Sequence, residues 1–184
     1  MAQKEKENAA DQMLDGEDKS VEIQDLPITV HLQYIKDLSF ENPGTPNVLV
    51  GLEDKNHSIK IHVDIMANNI EVEDKKDINN LYEVVLRTHV LAEVGNNPVF
   101  MVELDYGMLV SIGEGVSENM HHPILFIQIP QLLFPFSRNI ISSMTADGGF
   151  PPVRLTPINF EALYRERFKE ELEASQREAE AQGK

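Results

Sequence analysis

Apolar and polar residues alternate with a period of two from the start of the ordered-looking region. Ile28, Val30, Leu32 and Tyr34 alternate with Thr29, His31 and Gln33, which predicts a half-buried strand carrying those four on one face. The prolines and glycine of Asn42-Pro43-Gly44-Thr45-Pro46 interrupt any ladder, so the chain to about Ser58 is expected to cross over as a loop. Ile59, Ile61, Val63 and Ile65 then mark a second strand. A third sets Tyr82, Val84, Leu86, Thr88, Val90, Ala92 and Val94 against Glu83, Val85, Arg87, His89, Leu91 and Glu93. Gly95-Asn96-Asn97-Pro98 is a turn cluster. The fourth strand follows, with Phe100, Val102, Leu104 and Tyr106 opposed to Met101, Glu103 and Asp105, so the third and fourth strands predict an antiparallel hairpin.

After Gly113 the alternation stops. Pro123, Pro130 and Pro135 punctuate a stretch rich in Ile124, Leu125, Phe126, Leu132, Leu133, Phe134 and Phe136. From about Phe134 to Met144 the spacing of Phe136, Ile140, Ile141 and Met144 predicts a helix, stopped by Asp147-Gly148-Gly149. Thr156-Pro157-Ile158-Asn159 offers two N-caps and a proline suited to a first turn. It precedes a second helix with Phe160, Leu163, Tyr164, Phe168 and Leu172 on one face and charge on the other. Four strands followed by two helices define an α+β fold with an antiparallel sheet, not βαβ winding.

The flanks differ from this core. Residues 1–27 are dominated by Lys, Glu, Asp, Gln and Ala, with too few large apolar groups to offset the entropy of ordering, and read as a disordered acidic and polar arm. Residues 28–172 form the single folded domain that 184 residues allow, and 173–184 read as a flexible charged tail without an apolar stripe. No run approaches the roughly 18 consecutive apolar residues of a spanning helix, and the polar N-terminus lacks a signal h-region, so a cytoplasmic location is expected.

Charge and composition narrow the chemistry. Asp and Glu total 31 against 16 Lys and Arg, a formal net charge of −15. Such a surface repels phosphate backbones and anionic lipid and attracts basic partners, which argues against nucleic acid and membrane insertion. The absence of cysteine removes disulfides, thiolate metal sites and thiol nucleophiles. His57, His62, His89, His121 and His122 show no i, i+4 zinc spacing, so no metal or other cofactor is expected. Gly113-Glu114-Gly115 lacks the third glycine or Gly-Lys-Ser/Thr ending of a phosphate loop and reads as a turn. Ser142, Ser143 and Thr145 lack a Gly-x-Ser-x-Gly elbow and read as helix hydroxyls, so no catalytic residue is expected and the chain does not read as an enzyme. Two features ask for a role. The apolar surplus from Pro123 to Met144 suits self-assembly, a groove for apolar peptide or equally a conventional core, and Asp37, Glu41, Glu103 and Asp105 lie near Met101 on the strands, as a partner surface or a plain solvated sheet face.

Three separated blocks then carry a family resemblance: Tyr34-Ile-Lys-Asp-Leu-Ser-Phe-Glu-Asn-Pro43, Tyr82-Glu-Val-Val-Leu-Arg87, and Leu133-Phe-Pro-Phe-Ser-Arg138 through Thr156-Pro-Ile-Asn-Phe-Glu-Ala-Leu-Tyr164. In these blocks, over about Ile28 to Phe168, the chain resembles SecB, the bacterial protein-export chaperone. The resemblance implies a holdase that keeps precursor proteins unfolded and delivers them to the translocation motor SecA, acting as a homotetramer, a dimer of dimers whose eight-stranded sheets sandwich helices. It implies a SecA contact surface at Asp37, Glu41, Met101 and Glu103. It also implies an apolar substrate groove at Leu49, Leu52, Phe134, Phe136, Phe160, Leu163, Tyr164 and Phe168, although the crossover loop here lacks the aromatic residue the family often carries there. The nearest rival is a SecB-like chaperone dedicated to one client such as an antitoxin, and the rival of another class is an enzyme of unknown type.

Overall fold

The computed structural model describes residues 27–50, 57–71, 80–95 and 97–173. The expected arm to residue 26, the tail beyond residue 173 and Leu52 lie outside the described residues. Four strands, β1 (Ile28–Glu41), β2 (His57–Asn69), β3 (Leu81–Val94) and β4 (Asn97–Ile112), form one antiparallel sheet in the order β1-β4-β3-β2. β3 and β4 are the expected hairpin: Val94 pairs with Asn97, and Gly95 adopts the positive φ of 63° that so short a turn requires.

One face of the sheet is apolar because the period-2 pattern of β3 and β4 is nearly unbroken. Val84, Leu86, Val90, Val102, Leu104 and Met108 are each fully buried there. β1 departs from simple alternation. Register shifts at His31 and Lys36 insert an extra residue twice, so Ile28 and Val30 face inward opposite Ile112 and Val110, whereas Leu32 and Tyr34 face outward opposite Leu109 and Gly107. The expectation that Ile28, Val30, Leu32 and Tyr34 share a face is therefore corrected: the bulge at His31 exchanges the faces. Tyr34 takes the space over Gly107, where an added Cβ would sit 3.0 Å from its ring, and donates its hydroxyl to Glu83 of β3 at 2.5 Å.

The helical region also begins earlier than its spacing predicted. Helix α1 (Glu118–Pro123) passes through a π-helical turn (Ile124–Gln128) into α2 (Ile129–Asp147), a continuous run starting sixteen residues before Phe134. The three prolines do not break it. Pro123 closes α1 and the wider π turn follows directly, while Pro130 and Pro135 lie within the continuing run, whose apolar stripe packs on the sheet. The most apolar 18 residues within this run, Glu118–Asp147, have a mean hydropathy of 1.3, and the run is long and apolar enough to cross a membrane by length and composition. Here its apolar stripe lies on the sheet, with Ile129, Leu133 and Ile141 fully buried against β3 and β4.

α2 ends where anticipated, and geometry explains the glycine pair. A Cβ on Gly148 would lie 2.2 Å from the Phe40 ring, while Gly149 has φ of 87°. The chain then returns along α2, pinned by Thr145, whose hydroxyl donates to the Ile141 carbonyl and accepts from the Val153 N–H, both at 2.9 Å. Helix α3 (Phe160–Arg167) is capped by Asn159, whose Oδ1 accepts from the Ala162 N–H at 2.9 Å, and Pro157 precedes the cap instead of entering the first turn.

Candidate functional site

One helix cannot cover four strands. α2 lies over β3 and β4, so the inner face of both edge strands stays partly open: Val30 and Ile35 on β1, and Ile59 and Ile61 on β2, are 43–48% exposed although they point to the helix side. On β2 this opening is bounded by a recess at each end. The first, of about 330 Å³, is lined by Val63 and Ile65 of β2, Phe126 of the π turn, and Leu163, Tyr164 and Phe168 of the α3 region. The second, of about 170 Å³, is lined by Ile59, Ala92, Val99, Phe100, Phe150, Pro151 and Val153. Ile59 to Ile65 spans six residues, so the two recesses lie about 20 Å apart along one strand. β2 is also terminal in the sheet, leaving its outer row of backbone groups without a strand partner.

The wall of the first recess is aromatic and held from two sides. Arg167 reaches the free edge of β2, donating to Asp64 Oδ1 at 2.6 Å and to the Ile65 carbonyl at 2.9 Å, while its guanidinium lies 5.8 Å and 5.4 Å from the Phe126 and Phe168 ring centres. Behind the wall, His122 contacts Phe126, Tyr164 and Phe168, and its Nδ1 is hydrogen-bonded to the Tyr164 hydroxyl at 2.8 Å. Burial pushes the His122 imidazole below its ordinary range and Arg167 adds to this, while Glu171 opposes it. Burial, with Glu171, raises the Tyr164 phenol.

The groove residues expected from sequence separate into different places. Leu163, Tyr164 and Phe168 share the first recess. Phe160 is 1% exposed and Phe134 is 8% exposed; their rings meet edge to face, and both belong to the core instead of lining either recess on β2. The Asn159 cap aims the first α3 residue at the sheet, and Phe134 shares the buried stripe of α2 with Leu133. Phe136 is on another side of α2, 48% exposed and stacked on Tyr106. Leu49 packs at the far end, beside Gly149. Sequence reasoning missed Phe126, His122, Phe100 and Phe150. The residues Gly149-Phe150-Pro151-Pro152 were the available signal for the last, since a glycine-to-proline stop after a helix directs the intervening aromatic inward.

The outer face has the opposite chemistry. Asp37 lies opposite Asp105, Ser39 opposite Glu103 and Glu41 opposite Met101, so Asp37, Glu41, Met101 and Glu103 share this face. Asp37, Glu103 and Asp105 line a polar recess of about 300 Å³ with Arg87 and His89. Arg87 is committed to Asp105 through two hydrogen bonds of 2.8 and 2.7 Å, whereas Glu103 is 57% exposed. Further along, Lys36 donates to both Glu83 oxygens at 2.8 and 2.7 Å, and together with Tyr34 it holds that carboxyl below the usual range. Burial and the Glu83 carboxylate push the Tyr34 phenol up to about 12. Among the described residues, no three His, Asp or Glu side chains converge in a way that would hold a metal ion.

A four-stranded antiparallel sheet with one charged face and one half-covered apolar face defines an α+β protein with two chemically distinct surfaces. The chain belongs to the SecB family, since the family model described as preprotein translocase subunit SecB matches residues 22–171. The protein-export protein SecB of Paramagnetospirillum magneticum is 43% identical over 148 residues, covering 80% of this chain and 90% of that protein. The SecB of Mesorhizobium japonicum is also 43% identical, covering 80% and 83%. A SecB-like chaperone of Mycobacterium tuberculosis, solved in complex with a ChAD peptide from the HigA1 antitoxin, shares the fold with a TM-score of 0.56 at 12% identity, covering 72% of this chain and 91% of that one. This is a family of protein-export chaperones and not of enzymes.

Proposed function

We propose that this chaperone holds unfolded precursor proteins along β2, and that the observation carrying this reading is the pair of apolar recesses joined by the exposed Ile59 and Ile61. An extended client segment lays alternate apolar side chains into the recesses while its backbone runs along the outer edge of β2, where Arg167 already occupies the Ile65 carbonyl. Burial is non-directional and backbone pairing is independent of sequence, so the range of clients is broad. The acidic outer face, with Asp37, Glu41, Met101 and Glu103, receives a basic surface of SecA, and its separation from the groove lets client and motor bind together. Exposed Val30, Ile35, Leu132 and Phe136 support assembly into a homotetramer, and as an export chaperone the protein works in the cytoplasm.

The test is titration with a reduced, unfolded precursor and with its folded form. The unfolded form binds and the folded form does not. A double Ile59→Glu, Ile61→Glu variant loses at least about tenfold in affinity, roughly 1.4 kcal/mol, with little loss of stability because both side chains are already half exposed. Binding of the folded form alone, or unchanged affinity in the double variant, would remove the groove from β2. The relatives are export proteins by name, which favours general export over a dedicated antitoxin client; capture of a single client species from cytosol would reverse that preference.

A further inference from the structure

Three rings that line the first recess, Phe126, Tyr164 and Phe168, come from two separate segments, the π turn and the α3 region. His122, which does not line the recess, contacts all three rings. Its ring centre lies 4.6 Å from Phe126, 5.4 Å from Tyr164 and 4.6 Å from Phe168. It also hydrogen-bonds the Tyr164 hydroxyl. We propose that His122 is a positioning residue for client binding: its neutral imidazole sets the aromatic wall of the recess, and its protonation loosens that wall, making client affinity fall with pH. This inference rests on the groove reading above.

The surroundings favour the neutral ring. Burial is the main cause; from α3 and its continuation, Glu171 favours the protonated ring more strongly than the Arg167 cation disfavours it, and burial outweighs Glu171. Tyr164 remains protonated throughout, since its phenol is raised. From β2, Asp64 is already bonded to Arg167, and His62 lies across the recess. On the same helix as His122, His121 turns to the Tyr82 hydroxyl of β3 at 3.1 Å. The sign follows from linkage. A histidine whose docked pKa is depressed supports docking while neutral, above its ordinary titration, and this support is lost as pH falls through that range.

The experiment uses the full chain and reduced, carboxamidomethylated α-lactalbumin as the unfolded probe, with affinity measured at about pH 7.5 and about pH 5.5. The His122→Phe variant keeps a ring in the nest but cannot titrate; His122→Ala empties the nest. At the higher pH the expected order is wild type near His122→Phe, with His122→Ala weaker by about threefold or more. On acidification the wild type loses affinity by a larger factor than His122→Phe, which isolates His122 from the other titrating histidines and from the client. Equal affinity of His122→Ala and wild type at the higher pH would overturn the proposal, as would the same pH decrement in His122→Phe. If His122→Ala does not fold, as judged by circular dichroism, the His122→Phe comparison decides alone. Without any client, the Tyr164 and Phe168 ring resonances shift with the His122 titration in the wild type; their immobility overturns the proposal. If the wild type fails to bind the probe at all, the groove reading fails, and the ring titration still decides the role of His122.

Discussion

The inner and outer faces of the same sheet teach opposite lessons. They share strands, register and backbone, yet Leu104 on one is fully buried while its neighbour Glu103 on the other is 57% exposed. On the inner face free energy comes from area removed from water and from close packing, so single side chains matter for folding. On the outer face charges are either paired with another strand, as Arg87 with Asp105 and Lys36 with Glu83, or exposed like Glu103, and the exposed ones matter little for folding and set which partner can approach. The proposed groove lies where the first regime is incomplete, at the edge strand that α2 does not reach.

The largest expected effect breaks the inner face. Phe160→Ala removes a ring that is 1% exposed and packed on Phe134, and is expected to cost about 3–5 kcal/mol in denaturant unfolding. A loss below about 1 kcal/mol would mean the ring is not part of the core. Smaller is Tyr34→Phe, which deletes the hydroxyl bonded to Glu83 across Gly107; about 1 kcal/mol is expected by the same measurement.

A third measurement concerns the pH response of the outer face. The Glu83 carboxyl is held below its ordinary value by Lys36 and then Tyr34, so its contribution to stability is present above that ordinary value and is lost as pH falls through the lowered one. Stability followed from about pH 5 to about pH 3 therefore declines less in Glu83→Gln than in the wild type; identical slopes would contradict the pairing. The smallest effect on folding comes from the triple variant Asp37→Asn, Glu41→Gln, Glu103→Gln, with stability changing by no more than about 0.5 kcal/mol per site. Client binding is expected to survive, and SecA binding to weaken with a shallower salt dependence. Unaltered SecA affinity, or client binding lost in parallel, would show that the two faces are not functionally separate.

Hydrophobic periodicity by itself determined most of the architecture. A strand pairing on both sides must satisfy one repeating pattern, so β3 and β4 and their hairpin were readable from Tyr82 to Ala92 and from Phe100 to Tyr106, though not the register shift at Glu93 beside the turn. The Asp147-Gly148-Gly149 stop was equally local, because positive φ at Gly149 is a backbone demand. Other features depended on contacts far apart in sequence. Nothing near His31 announces the bulge that turns Tyr34 outward, since the bulge is a relation between β1 and β4. The prolines at 123 and 130 looked like interruptions because a helix survives them only when a π turn and a packed apolar face compensate. Phe160 and Phe168 sit on one helical stripe and were indistinguishable by spacing, yet one is sealed against Phe134 and the other stands at an opening. The tertiary structure alone decided that difference: α2 spans two strands of the four, and where its coverage stops an apolar side chain ceases to be core and lines an open recess.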